Sequence, residues 1–336
     1  MDFTTGGRLE VRITPDDVGK RVSVRLLTGA GDHREKFTDV VGVLTSWTGG
    51  KLSVTRRTGE AVEITEESLV AGKVVPAAPA RRRGPAATAH ELTRVAARAW
   101  PPVVSEPLGA WELRASGGFT RRANSVLPLG DPGIPLDDAL RRVTDWYTAR
   151  DLPAYIQVST GAEDTQELLA AELGTRGWSR EVSAQVRVAA LAPIGDRDAE
   201  TTAVVLSRQL DDAWLAGYQR STRPSPEARA VLAGGPSVWF ATIRSEGGAP
   251  AAIGRCVVDG RWAGFTAVEV ALERRRQGLA GAVMTALARR ALEEGASAAY
   301  LQVETDNEGA HALYEDMGFS VHHAYHHWRA PRQDAR

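Results

Sequence analysis

The segment Arg274-Arg275-Arg276-Gln277-Gly278-Leu279-Ala280-Gly281 has the residue types and the spacing to hold an anion. It follows a strand-like run, Trp262-Ala263-Gly264-Phe265-Thr266-Ala267-Val268-Glu269-Val270, and leads into a helical pattern from Ala282 to Leu292. A strand, a basic turn and a helix in that order gather the orphan N–H groups of the first helical turn around one point, where the helix dipole also favours negative charge. Gly278 lets the main chain approach phosphate oxygens without a Cβ in the way, and the small Ala280 and Gly281 keep the turn open. Arginine adds charge-assisted donors. The expected ligand group is a diphosphate, held by Arg275, Arg276, Gln277, Gly278, Leu279, Ala280 and Gly281. The G-x-G-x-x-G spacing is absent and no Gly-Lys-Ser/Thr follows, so the turn is neither a dinucleotide fingerprint nor a Walker loop. Alone, Arg-x-x-Gly-x-Ala would mark no more than an arginine-rich helix start on a surface.

The elements around it form a pattern that occurs twice. Tyr300-Leu301-Gln302-Val303 after the helix is matched by Tyr155-Ile156-Gln157-Val158, 145 positions earlier. Each run is preceded by an amphipathic helix pattern, Asp138 to Ala149 and Ala282 to Glu294, and each is followed by a second helix ending at a glycine and an aromatic, Gly177-Trp178 and Gly318-Phe319. Two related α/β halves are predicted, at 90–192 and 200–330. The first copy has Gly130-Asp131-Pro132-Gly133-Ile134-Pro135 where the second has its basic turn, and an acidic Asp131 would repel an anion there. It also has Asp164 and Leu168 or Leu169 in the region of Asn307 and Tyr314, so it reads as a degenerate half that supports or helps form an acceptor pocket. Asn124, with Arg121 and Arg122, is expected either to face that pocket or to act structurally.

The second copy, with its strand, Arg-x-x-Gly-x-Ala, helix, strand, Asn307-x-x-Ala310-x-x-Leu313-Tyr314 and Gly318-Phe319, resembles the GCN5-related N-acetyltransferase (GNAT) family over about 200–330. The resemblance implies an α/β (α+β) fold, a mixed sheet with flanking helices in tandem halves. It also implies direct transfer of an acetyl group from acetyl-CoA to a primary amine, with no metal. In such a family, main-chain groups of the strand at Val268, Glu269 and Val270 bond the pantetheine arm and polarise the thioester. Asn307 contacts the pantetheine or its loop, and Tyr314 protonates the departing thiolate. An alkylammonium of pKa ~10.4 must lose its proton before it can attack, so a base or water relay is needed. Glu269 is the first candidate base and Glu304 its rival, although a carboxylate on a strand is as often only solvated. The other reading is a non-catalytic acyl-CoA-binding or regulatory protein, which would keep the turn at Gly278 and have no use for Tyr314.

Other residues with chemical potential read more plainly. Cys256 lies in an apolar run with no His–Asp/Glu set beside it, which predicts a buried structural thiol. His322, His323, His326 and His327 suggest a metal, but in a strand His322 and His326 would stand ~13 Å apart, so they are expected at the surface or lining a pocket. Trp214, Tyr218 and Gln219, with Trp239 or Trp262, are expected near the acceptor, where an aromatic slot would suit a small-molecule amine or a lysine side chain; core packing explains the tryptophans equally well.

Residues 1–75 alternate in short runs punctuated by glycine turns, as a small antiparallel β-barrel would, and resemble the SH3-like module at the front of some actinobacterial acetyltransferases. A partner-binding role and a structural appendage are both open to it. The Pro/Ala/Arg stretch at 76–89, with Arg81-Arg82-Arg83, is expected to be a linker. The chain has 336 residues with Lys+Arg 41 against Asp+Glu 42, and this balance removes the basic surplus with which a whole chain would grip nucleic acid. The start has no basic or apolar leader and no apolar run approaches the ~18 residues of a membrane span, so a soluble cytoplasmic protein is the expectation.

Overall fold

The computed structural model describes residues 10–27, 37–76, 84–219, 225–245 and 249–332. The Arg81-Arg82-Arg83 run lies outside them. The first module contains β1 (Arg21–Leu27), β2 (Phe37–Thr48), β3 (Lys51–Arg56), β4 (Ala61–Thr65) and β5 (Leu69–Val74), in the antiparallel order β4-β3-β2-β1-β5. Its alternating Val22, Val24, Leu44, Leu52, Val54 and Ile64 point inward and form a separate small core. The expected closed barrel is corrected: among the described residues β4 and β5 do not pair, and the sheet stays open.

The first half comprises α1 (Ala89–Ala99), β6 (Val104–Leu108), β7 (Trp111–Ala115), β8 (Leu127–Pro128), α2 (Leu136–Thr148), β9 (Tyr155–Thr160), α3 (Glu167–Thr175) and β10 (Ser179–Ala190). A short helix, α4 (Ala192–Gly195), leads to the second half: β11 (Val204–Ser207), α5 (Asp212–Ala216), α6 (Pro226–Ala233), β12 (Ser237–Ile243), β13 (Ala252–Asp259), β14 (Trp262–Val270), α7 (Leu279–Glu293), β15 (Ala298–Glu304), α8 (Glu308–Asp316) and β16 (Ser320–Arg329). The internal repeat is thus realised as β8-α2-β9-α3-β10 and β14-α7-β15-α8-β16.

The eight-stranded sheet runs β11-β12-β13-β14-β15-β10-β16-β9. Its order shows that each half lends its final strand to the other: β10 pairs antiparallel with β15, β16 pairs antiparallel with β9, and the two lent strands pair with each other. The parallel pairs β14–β15 and, through the bridge Val126–Ile156, β8–β9 flank this centre and carry the sheet on into β8-β7-β6. Both faces of the joint are covered. Helices α4 and α7 with Phe319 enclose one apolar cluster, while α1, Leu215 and Leu232 enclose another on the opposite face. Helix α7 can lie close to the sheet because Gly254 is beneath it, where a Cβ would stand 2.4 Å from Val283 Cγ1. Full burial of side chains such as Val283 and Leu287 contributes about 1.5–3 kcal/mol each.

Candidate active site

Strand β14 separates from β15 where the chemistry is expected. The last parallel pair is Phe265 with Leu301, and beyond it the β15-facing edge of β14 makes no ladder contact. A bulge causes the divergence: Ala267 has φ 50°, and the register against β13 shifts between Ile253 and Arg255. The widening cleft leaves the main chain of Val268, Glu269 and Val270 available to a ligand on that side. Val268 and Val270 border the apolar cluster under α7, whereas Glu269 lies on the α5 side, where its Oε2 accepts the Gln219 N–H at 2.7 Å.

At the mouth of the cleft, helix α7 starts three residues earlier than its sequence pattern suggested, at Leu279. Gly278 is its N-cap with φ 77° and Arg276 precedes it with φ 60°, a conformation that costs a non-glycine residue about 1–2 kcal/mol. The first helical bond runs from Ala282 N–H to Gly278 C=O at 3.0 Å, which leaves the amides of Leu279, Ala280 and Gly281 outside the ladder. No acidic residue occupies the first turn, and a Cβ placed on Gly278 or Gly281 would meet no atom within 4 Å. Arg275, Arg276 and Gln277 are exposed around this opening, with the Gln277 Oε1 held by Arg274 Nε at 3.0 Å. A strained, donor-rich and open turn of this kind fits a diphosphate.

Tyr314 on α8 is half-buried, with its ring 5.9 Å from that of Phe319, and borders the same cluster as Val268 and Leu279. Asn307 caps α8 by accepting the Ala310 N–H at 3.2 Å. Glu304 is exposed at the end of β15. The cleft edge, the turn at Gly278 and Tyr314 are thus gathered on the α7–α8 side, and Glu269 sits on the other face.

Other residues singled out by the sequence find these places. Of the two roles open to Asn124 the structural one fits: its Oδ1 accepts the N–H groups of Ser116 at 2.8 Å and Gly118 at 3.0 Å, and its Nδ2 donates to the carbonyls of Phe119 and Thr120, pinning that loop. Trp239 is on the α7 side and donates to Glu294 Oε1 at 2.7 Å, away from Glu269. Trp262 is buried at the start of β14 and donates to Glu91. His323, His326 and His327 are interior rather than surface groups, because β16 lies between two strands with both faces covered. Burial pushes His323 down to about 3 and His326 down to about 4, and holds His327 well below the ordinary histidine range. Among the described residues no group of three His, Cys, Asp or Glu side chains could hold a metal. Cys256 is buried in β13, where desolvation pushes its thiol up to about 12, leaving no reactive thiolate.

The sequence reading singled out Trp214 and Tyr218 but missed Trp100, Phe119 and Arg255, which join them in an aromatic and cationic layer on the α1 face. Trp100, Phe119, Tyr218 and Trp214 follow one another at ring-centre spacings of 6.1, 6.3 and 5.7 Å, joining the first half to α5. Arg255 is fully buried on β13 and donates to the carbonyls of Ala99, Leu232 and Gly234 and to Thr266, with burial lowering its pKa to about 10. One signal was in plain view, a single arginine inside the apolar run Ile253 to Val258.

Strand order, cleft, turn and repeat together define a tandem GNAT fold. A GCN5-related N-acetyltransferase from Kribbella flavida has a similar structure, with a TM-score of 0.56 and 16% identity, covering 74% of this chain and 98% of that one. A tandem GNAT protein from the clavulanic acid biosynthesis pathway gives 0.51 and 14%, covering 75% and 91%. Within that fold the chain belongs to the family described as "Probable histone acetyltransferase Rv0428c", whose C-terminal region matches residues 86–328 and whose N-terminal Sm-like domain matches residues 16–73. The probable histone acetyltransferase Rv0428c of Mycobacterium tuberculosis is 30% identical over 91% of this chain and 93% of its own length. The uncharacterized N-acetyltransferase YobR of Bacillus subtilis is 26% identical over 72% and 98%. No helix among the described residues is long and apolar enough to cross a membrane.

Proposed function

We propose that this acetyltransferase-family protein transfers an acetyl group from acetyl-CoA to a primary amine, and that only its second half, 200–330, carries the reaction. The first module (1–75) and the 76–89 linker would be accessory to it. The observation that carries this reading is the entry to α7, where Gly278 at φ 77° opens an unobstructed helix N-terminus beside the diverging edge of β14. Arg275, Arg276, Gln277 and the amides of Gly278 to Gly281 would hold the diphosphate of the coenzyme. When bound, acetyl-CoA supplies an activated acyl thioester.

The chain's own groups divide the remaining work. The main chain of Val268 to Val270 has hydrogen-bonding capacity on its β15 side to orient an extended arm and its carbonyl. Glu269, on the α5 face, would take a proton from the incoming ammonium directly or through water, and the Gln219 N–H fixes its carboxylate. Tyr314, reaching from α8, would return a proton to the departing thiolate; an ordinary phenol near pKa ~10 is still protonated at neutral pH. Asn307 sets the start of α8 and so the placement of Tyr314.

The test is turnover of acetyl-CoA over a panel of amines by the wild type and Tyr314→Phe, with coenzyme binding measured alongside. Acetylated product that falls sharply in the variant while coenzyme affinity holds supports the reading. Binding without product from any amine class, unaffected by the substitution, would sink it in favour of a binding protein.

A further inference from the structure

Three arginines are buried among the described residues, and they divide by partner. Arg114 and Arg255 donate to neutral oxygens: those of Ser125 and Gln157 for the first, three carbonyls and Thr266 for the second. Arg187, on β10, is the one held to a carboxylate. Its Nη2 donates to Glu315 Oε1 at 3.0 Å, and its Nε donates to Gln185 Oε1 at 3.0 Å, two residues back on the same strand. Arg187 stands opposite Leu301 and shares the α7–α8 face of the sheet with Ala189. Its strand belongs to the first half, whereas Glu315 belongs to α8, the helix that carries Tyr314. The bond therefore runs from one half to the other, beside a residue of the proposed reaction.

The repeat supplies a control. The N-cap positions of α3 and α8, Gln166 and Asn307, lie 141 positions apart, the offset that also relates Gly177 to Gly318. At that offset Tyr314 answers to Leu173, Glu315 to Gly174 and Arg187 to Trp328. Trp328 is on β16, the strand lent in the other direction, and its ring covers α3 at Gly174, where a Cβ would stand 3.8 Å from it. The same joint is thus made by an apolar side chain in the first copy and by an ion pair in the second. Taking a guanidinium out of water is expensive, and a well-packed apolar residue in its place is often neutral or stabilising. Stability alone does not call for Arg187. The two helices also differ in how they are held: α3 buries Glu167, Ala170 and Leu173, whereas no residue of α8 is buried. Arg197 reaches the neighbouring Asp316 at 2.5 Å, but both side chains of that pair meet water, which weakens it. Glu315 is exposed as well, yet losing its bond would strand an arginine side chain that is 5% exposed.

We propose that Arg187 is a positioning residue for Tyr314: the first half, through the strand it lends, fixes the rotation of α8 and with it the direction of the Tyr314 hydroxyl. This rests on Tyr314 as the acid of the proposed transfer. Glu315 follows Tyr314 directly, and successive side chains leave a helix about 100° apart, so any rotation that draws Glu315 from β10 swings Tyr314 by the same angle. Apolar contact with the cluster under α7 holds α8 down without setting that angle, and a directional bond to a guanidinium sets it. The first copy has Leu173 in place of the phenol and no hydroxyl to aim, and there Trp328 suffices.

Kinetics on the full chain with acetyl-CoA and the best amine of the panel test it, using Arg187→Met, Tyr314→Phe and the double variant. Arg187→Met should unfold in urea no earlier than the wild type, lower kcat about tenfold and leave the coenzyme Kd within about threefold. In the Tyr314→Phe background the same substitution should change kcat by less than about twofold, because a residue that acts through Tyr314 then has nothing to aim. Without coenzyme or amine, amide hydrogen exchange in α8 should quicken at least about fivefold in Arg187→Met and stay unchanged in β15. Should Arg187→Met fail to fold, Glu315→Gln, at the surface end of the bond, should give the same pattern with a loss of about threefold in kcat. Equal losses in both backgrounds, an unchanged kcat or unaltered exchange in α8 would overturn the inference. An unchanged kcat in Tyr314→Phe alone removes the acid and this role with it, whereas a full loss there without a response to Arg187→Met removes this role only.

Discussion

The two helix entries hold the same place in the internal repeat and differ in the features that matter to an anion. At α7 the N-cap is Gly278, arginines precede it and the first turn has no acid. At α2 the N-cap is Pro135, Asp137 and Asp138 fill the first turn, and Asp131 folds back to accept the Gly133 N–H at 2.6 Å. The first entry has surrounded its helix start with negative charge, and beside it lies a largely apolar cavity of about 360 Å³ bordered by Trp111, Ile134 and Leu169. The contrast teaches that a duplicated scaffold keeps its packing while the few residues at a helix start decide whether a copy can bind a charged ligand.

The sharpest way to break that contrast is Gly278→Val. Its Cβ meets no protein atom, so the fold should tolerate it, but the left-handed backbone and the close approach to phosphate should not. Coenzyme affinity measured by calorimetry should fall about a thousandfold, the equivalent of two charge-assisted hydrogen bonds. Next in size, Tyr314→Phe should lower kcat about a hundredfold, within the usual contribution of a general acid, while the coenzyme Kd stays within about threefold.

Acid should act on the joint between the copies. The lent strand β16 carries buried His323, His326 and His327, whereas its counterpart β10 has no histidine. Their folded pKa values are depressed, so the stability they contribute is complete above about pH 6.5 and is lost as pH falls toward about 4 for His326 and about 3 for His323. The unfolding free energy from urea titrations should drop on acidification below pH 6.5 by up to about 1.4 kcal/mol per pH unit for each histidine. A flat response between pH 7 and 5 would contradict their burial. The smallest effect is expected from Gly133→Val in the first copy, at φ 76°: about 1–2 kcal/mol of stability and no change in coenzyme affinity beyond about twofold.

What could be read from the sequence was local. The turn at Arg275 to Gly281 announces itself because its chemistry needs contiguous residues, and the repeat shows through Tyr155-Ile156-Gln157 and Tyr300-Leu301-Gln302. The exchange of β10 and β16 left no such mark, since a strand carries the same alternation whichever neighbour it pairs with. The histidines were misplaced for the same reason: a strand buried on both faces has no polar side to give it away. Arg114 and Arg255 were overlooked because their acceptors are carbonyl and side-chain oxygens from distant segments, which no spacing encodes.

The reciprocal loan of strands also sets the order in which the molecule can mature. Strand β9 must wait, with one margin bare, until β16 has been synthesised, although everything else in its own half emerges from the ribosome long before. The sheet of the first copy therefore cannot be completed until the second has been translated almost to its end.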